Sequence, residues 1–282
     1  MTVLTMAGLT LREALRRKVI WALLGLTAVL LGLDAWGFAS LPGMRTSYGS
    51  MTSGEARLLA SEMLNLVMFA LSLIVALGAA FLAGPTLSGE LESGVALAVL
   101  ARPVNRWAVL LGKWLGLGVF ACGYVLTAGL AQFAGVWWAV GYWPPSPVSA
   151  LALLSLEAVT LLTLGLLLST LISPMASSVV SVGLFGATWV AGVVGGVGDA
   201  LDNAGVRRVG TVAHVVLPTD GLWRGAMNAL QDPSLIARFP EATRGFPFLS
   251  ATGPGVGYLL WVVAWLVVVG GVCGLTFARR DV

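Results

Sequence analysis

Leu151-Ala-Leu-Leu-Ser-Leu-Glu157-Ala-Val-Thr-Leu-Leu-Thr-Leu-Gly165-Leu-Leu-Leu-Ser-Thr-Leu171 runs for 21 residues with a single charge. As a helix it covers about 30 Å, the thickness of a bilayer's hydrocarbon core. Its leucines and one valine favour insertion by about −0.3 to −0.6 kcal/mol each, roughly −4 to −7 together. A central acid costs about 2.5 to 3.5 kcal/mol, so the run inserts in spite of Glu157. An intramembrane carboxylate is then either a packed, protonated structural contact or part of a translocation pathway, and both readings stay open.

Outward from this run the pattern repeats. Apolar stretches at 19–40, 56–83, 108–139, 149–171, 177–197 and 257–277 predict six spans of an all-α polytopic membrane protein. Of the 282 residues 58% are hydrophobic and 10% charged, against roughly 25% charged in a soluble domain. The 36 glycines fit close helix packing in lipid, with small-residue spacings at Gly112/Gly116, Gly192/Gly196 and Gly270/Gly274. The chain reads as one transmembrane domain over 1–282, with no internal repeat and no soluble module.

Thr10 to Lys18 reads as an amphipathic helix at the membrane interface, with Leu11, Ala14 and Leu15 on one face and Arg12, Arg16 and Arg17 on another. Thr10 and Glu13 fit a capping box, as do Thr52 and Glu55 before the second span. Arg16-Arg17-Lys18 ahead of an apolar run also suits a signal peptide, but five further spans follow and the run is read as a retained helix. Pro85 is expected to end the second span, and Ser173-Pro174-Met175-Ala176 to make a tight reversal between the fourth and fifth.

Basic residues set the orientation. With both termini in the cytoplasm the inner segments hold Arg12, Arg16, Arg17, Lys18, Arg102, Arg106, Lys113, Arg279 and Arg280, and the short outer loops hold Arg45 and Arg57. The loop 198–256 is then outside, its arginines matched by acids. Its largely apolar part, Val209 to Leu230, suggests short helices resting on or dipping into the outer face, a gate or cap rather than a merely exposed loop.

The net charge of +3 is dispersed among the spans, which excludes a nucleic-acid patch. Cys122 and Cys273 lie in apolar runs and supply neither a disulfide framework nor a metal site. His214, the one histidine, reads as a polar loop residue rather than a catalytic base. Gly112-Lys113-Trp114 lacks the glycine and hydroxyl of a phosphate loop, so no ATP hydrolysis is expected here. No metal site and no cofactor is expected on this chain.

Between the second and third spans the chain reads Gly84-Pro-Thr-Leu-Ser-Gly-Glu90-Leu-Glu92-Ser-Gly94-Val-Ala-Leu97-Ala-Val-Leu100-Ala-Arg102-Pro103-Val-Asn-Arg106. Gly94 and Pro103 bracket a short apolar helix, 95–101, flanked by acids and arginines, and Asn105 caps the third span. At the cytoplasmic surface its apolar face requires a cover from lipid or protein.

With Ser88, Glu90, Glu92, Ser93, Gly94, Arg102-Pro103, Arg106 and Leu111-Gly112-Lys113 in this order, the chain resembles the ABC type-2 exporter permeases. The resemblance is particularly to the six-span subgroup that includes the nitrous oxide reductase maturation permease; Leu217-Pro218-Thr219-Asp220 and Phe277-Ala-Arg-Arg-Asp281 add to the likeness. The resemblance implies a permease of the cell inner membrane that pairs with a second permease copy and two separate nucleotide-binding ATPase subunits, which carry ATP and Mg. It implies that segment 87–106, with Glu90, Glu92, Gly94, Leu97, Leu100, Arg102, Pro103 and Arg106, is a coupling helix docked on the ATPase. Cargo is left open. The alternative is a membrane-embedded enzyme or anchoring subunit without transport. An ion-coupled transporter would carry more intramembrane charge than Glu157 alone.

Overall fold

The computed structural model describes residues 3–40, 45–46, 49–50, 53–92, 105–234, 247–250 and 252–279. Among them the chain forms nine α-helices. These are α1 (Val3–Arg16), α2 (Lys18–Ser40), α3 (Ser53–Glu92), α4 (Arg106–Val140), α5 (Pro147–Leu171), α6 (Pro174–Ala200), α7 (Ala204–Val216), α8 (Thr219–Leu230) and α9 (Val256–Arg279). Strands β1 (Arg45–Thr46) and β2 (Gly49–Ser50) pair antiparallel between α2 and α3.

Six of the helices, α2 to α6 and α9, are long and apolar enough to cross a membrane. Their ends follow local chemistry. The Asn105 side chain accepts from the Trp107 N–H at 2.9 Å, capping α4 as its sequence predicts. Gly141 closes the same helix in the left-handed conformation, φ 68°, which glycine adopts without a Cβ clash. Pro147 and Pro174 each sit in the first turn of a helix, where a missing N–H costs nothing. Helix α6 therefore starts at Pro174, and the predicted four-residue reversal after α5 shrinks to Ile172 and Ser173.

Two further expectations are corrected. Helix α1 begins at Val3 rather than Thr10, and Thr10 is no cap: its hydroxyl donates back to the Met6 carbonyl at 2.9 Å. The buried stripe is Met6, Thr10 and Ala14, while Leu15 is exposed. Packing on α4 decides this, because Gly112 and Gly116 present bare backbone to α1. A Cβ at Gly112 would strike Met6, and one at Gly116 would lie 3.0 Å from the Thr10 Cβ. Nor does Pro85 end the second span, since α3 continues through it to Glu92. The Thr52 half of the second predicted capping box lies outside the described residues.

The interior divides between the two ends of the bundle. One cluster gathers Phe38, Leu64, Met68, Leu71, Phe133, Trp223 and Leu230; the other gathers Ile20, Leu23, Leu82, Leu87, Leu161, Leu166 and Phe277. Large apolar side chains such as Trp21, Trp36, Val267 and Val268 are exposed on α2 and α9, as lipid-facing positions are. Helices α3 and α5 are the central pair, and α8 lies against α5.

Candidate inner clasp and outer cleft

Proline at position 85 cannot donate to the preceding turn, so the helical ladder of α3 opens there. Side chains from four other segments bond the backbone on either side of it. From α5, the Ser169 Oγ accepts from both the Leu87 N–H at 3.1 Å and the Ser88 N–H at 3.0 Å. From α4, the buried Lys113 Nζ donates to the Thr86 carbonyl at 2.9 Å. From α6, the Ser178 hydroxyl lies 3.2 Å from the Ala80 carbonyl. From the α1–α2 junction, the Arg17 Nη1 donates to the Leu82 carbonyl at 3.4 Å while its Nη2 pairs with Glu13 at 2.6 Å. Within α3 the Ser88 hydroxyl donates to the Gly84 carbonyl at 2.8 Å. Gly84 lets the start of α6 approach, since a Cβ there would meet Ser177 and Ser178.

This clasp sits directly before the predicted coupling segment. Glu90 and Glu92 fall in the last turn of α3, with their side chains outside the described residues. Gly94, Leu97, Leu100, Arg102 and Pro103, and with them the predicted helix 95–101, also lie outside the described residues. Arg106 is described: its Nη1 donates to the Phe277 carbonyl at 3.3 Å and the Ala278 carbonyl at 3.2 Å, fastening the start of α4 to the end of α9. A cation there also complements the helix C-terminus. Arg12, Arg16 and Lys18 are exposed along the polar side of the N-terminal helix and its junction with α2.

Glu157 is buried between α5 and α3, where the Ser72 hydroxyl lies 3.1 Å from both carboxylate oxygens. Beside it is a void of about 10 Å³ lined by Leu71, Ser72, Val75, Val125 and Leu154, room for about one water. In this conformation Glu157 faces a small void, not an open passage.

At the other end, α7 folds back along α6 and α8 turns down against α5. The close α6–α7 crossing is a glycine contact, Gly195 against Gly210. His214 is a helical residue whose Nε2 donates to the Asp220 Oδ2 at 2.6 Å, and Arg224 Nε donates to the same oxygen at 2.8 Å. Asp220 itself is buried, its carboxylate seated where any side chain at Gly192 would stand. Its Oδ1 has no hydrogen-bond partner among the described residues. Tyr142, in the connection after α4, ties this end together by donating to the Leu230 carbonyl at 2.7 Å, and burial pushes its phenol up to about 12. Between α6, α7, α8 and the start of α9 opens a cleft of about 490 Å³ lined by Asp199, Arg207, Thr211, His214, Arg224 and Tyr258, among others.

The sequence reading singled out Glu157 and missed the rest of the buried polar set. Lys113 stands in the sequence as a topology signal and motif residue, and Asp220 as a loop acid and part of the Leu217–Asp220 stretch; the linear pattern suggests short helices resting on or dipping into the face here but not which of them packs inside.

An all-α membrane domain with six span-length helices and a clasp around Pro85 is the setting for the comparison with known families. The family model described as ABC-2 family transporter protein matches residues 4–282. The chain belongs to the ABC-2 transporter family. It is a multi-pass membrane protein and an ABC transporter permease subunit, a transport component that works with ATP-binding subunits. No curated protein matches the sequence.

Proposed function

We propose that this ABC-2 permease acts in export from the cytoplasm, as one of two permease copies, identical or paralogous, driven by two separate ATPase subunits that bind ATP and Mg. The whole chain is one permease domain in the inner membrane, surrounded by lipid, with both termini cytoplasmic. Segment 87–106 docks on the ATPase, and α7–α8 cap the opposite face. Glu157 lies on the translocation pathway, which opens from a different conformation. The Ser88 to Lys113 block supports a place in the six-span subgroup with the nitrous oxide reductase maturation permease.

The clasp at Pro85 is the observation that carries this reading. A push delivered beyond Glu92 meets a helix that carries Pro85 in its ladder and is gripped around it by α4, α5, α6 and the α1–α2 junction. Motion at the cytoplasmic end is thereby passed to several spans at once. Leu97 and Leu100 supply the apolar centre of the docking contact, with Glu90, Glu92, Arg102 and Arg106 as its polar rim.

The test is co-purification of a nucleotide-binding ATPase with this chain from its native cells, together with ATP hydrolysis by the complex in lipid. Leu100→Asp, which puts a charge into a desolvated interface, should abolish co-purification, whereas Arg102→Glu should only weaken it. Full assembly and full activity in both would remove the coupling segment from the mechanism.

A further inference from the structure

We propose that the outer cleft is a binding site for an oxyanion, a phosphate or carboxylate group, with Arg224 as the principal donor and a phospholipid headgroup phosphate as the occupant favoured by its position. Asp220 does not line the cleft but stands behind it, and one of its oxygens fixes both His214 and Arg224. With Nε so committed, the planar guanidinium of Arg224 keeps its two Nη groups in a set orientation, the fork that matches carboxylate and phosphate. Among the described residues no hydrogen bond engages those groups, and the side chain is partly exposed.

The lining is biased toward anions. Among the described residues, Arg207, Arg224 and His214 line the cleft with Asp199 as its one lining carboxylate, while the Asp220 carboxylate stands behind, engaged at Arg224 Nε and His214 Nε2. Arg207 and Asp199 are 3.7 Å apart and both about half exposed, a loose pair from which an incoming anion can draw the arginine. Glycines at 192, 195, 221 and 225 form part of the wall and let Asp220, Gly210, Tyr258 and Pro254 pack closely behind these heads.

Position selects the source. Arg207, Gly210, Thr211 and His214 share the cleft side of α7, while Val209, Val212 and Val216 are exposed elsewhere on it. Trp261 and Trp265 of α9 donate to the carbonyls of Val215 and Val216, at 3.3 and 2.8 Å. An amphipathic helix ending on indole N–H groups is suited to the headgroup layer, where phosphate is the prevailing anion.

The test is titration calorimetry on the detergent-purified full chain, with short-chain phosphatidylglycerol, inorganic phosphate and an uncharged glucosyl diacylglycerol of the same chain length. Phosphatidylglycerol should bind, and Arg224→Gln and Thr211→Asp should each weaken it tenfold or more, with Arg12→Gln at the far end unchanged. Thr211 is exposed, so its substitution leaves the Asp220 cluster standing. Equal binding of inorganic phosphate keeps the oxyanion site and moves its occupant to a soluble anion. Binding of the glucosyl lipid as tight as that of phosphatidylglycerol, no binding of either anion, or an unaffected Thr211→Asp overturns the proposal. ATPase co-purification is read on the same variants. It stays intact when only this site is lost, which separates the inference from the coupling reading.

Discussion

Ser169 gives the backbone just after Pro85 an acceptor from outside the helix. Its Oγ accepts from the Leu87 and Ser88 N–H groups, and Ser169→Ala removes both bonds. Each such bond contributes about 0.5 to 1.5 kcal/mol. The thermal midpoint of the purified chain should fall clearly, with Ser169→Thr, which keeps the hydroxyl, closer to wild type. Lys113→Met keeps the side-chain volume but strips the Thr86 carbonyl of its ammonium donor. It should lower ATP-driven transport more than ATPase co-purification, because Lys113 lies in the span and not in segment 87–106's apolar centre. Glu157→Gln retains hydrogen bonding with Ser72, so the fold should survive while transport falls; unchanged transport and cargo range would leave Glu157 a packing contact only. Of these residues only Glu157 was conspicuous in the sequence as a functional candidate. A carboxylate amid leucines announces itself, whereas a serine between Leu168 and Thr170 is indistinguishable from the many hydroxyls tolerated in spans.

At the level of elements, Pro85 separates what local rules can foresee from what neighbours decide. A proline inside a helix removes a hydrogen bond and crowds the carbonyl four residues back, at about 3 kcal/mol or more, so a stop at 85 was the sound local expectation. Three packed helices bond the backbone around it and α3 runs on. Pro85→Ala should therefore leave the chain folded, at equal or higher thermal stability, yet transmit ATPase motion poorly, because the restored Phe81 bond stiffens α3 at the clasp. Measuring ATP hydrolysis beside transport separates the two: hydrolysis retained with transport lost is the expected result. The N-terminal helix makes the same point about faces. Periodicity correctly placed an amphipathic basic helix before the first span, but its buried stripe was set by Gly112 and Gly116 on α4, residues a hundred positions away in sequence. Gly116→Leu should overpack this contact, at a cost of typically about 1 to 3 kcal/mol, and detach α1 from the bundle. Faster proteolysis at the N-terminus would report it.

For the whole molecule, hydropathy alone placed all six spans, because a bilayer demands long apolar helices and leaves few alternatives. What it did not place is which loop residues return to the interior, since α8 carries Asp220 and Arg224 and scores as polar although it is buried against α5. Orientation rests on an argument that joins both levels. Helix α6 has the Pro85 clasp at its Pro174 end and the cleft at its Gly195 end. Its 27 residues span about 40 Å, so the two sites face opposite sides of the membrane. The proposed orientation takes the clasp side as cytoplasmic, because α1, the α1–α2 junction and the start of α4 hold Arg12, Arg16, Arg17, Lys18 and Arg106 near it. With Cys122 and Cys273 replaced by alanine, a single cysteine at Thr211 should react with an impermeant maleimide in intact cells. A single cysteine at Arg12 should react only after permeabilisation. The reverse pattern would put the clasp outside, where no ATPase could reach residues 87–106, and coupling through that segment would fail with it.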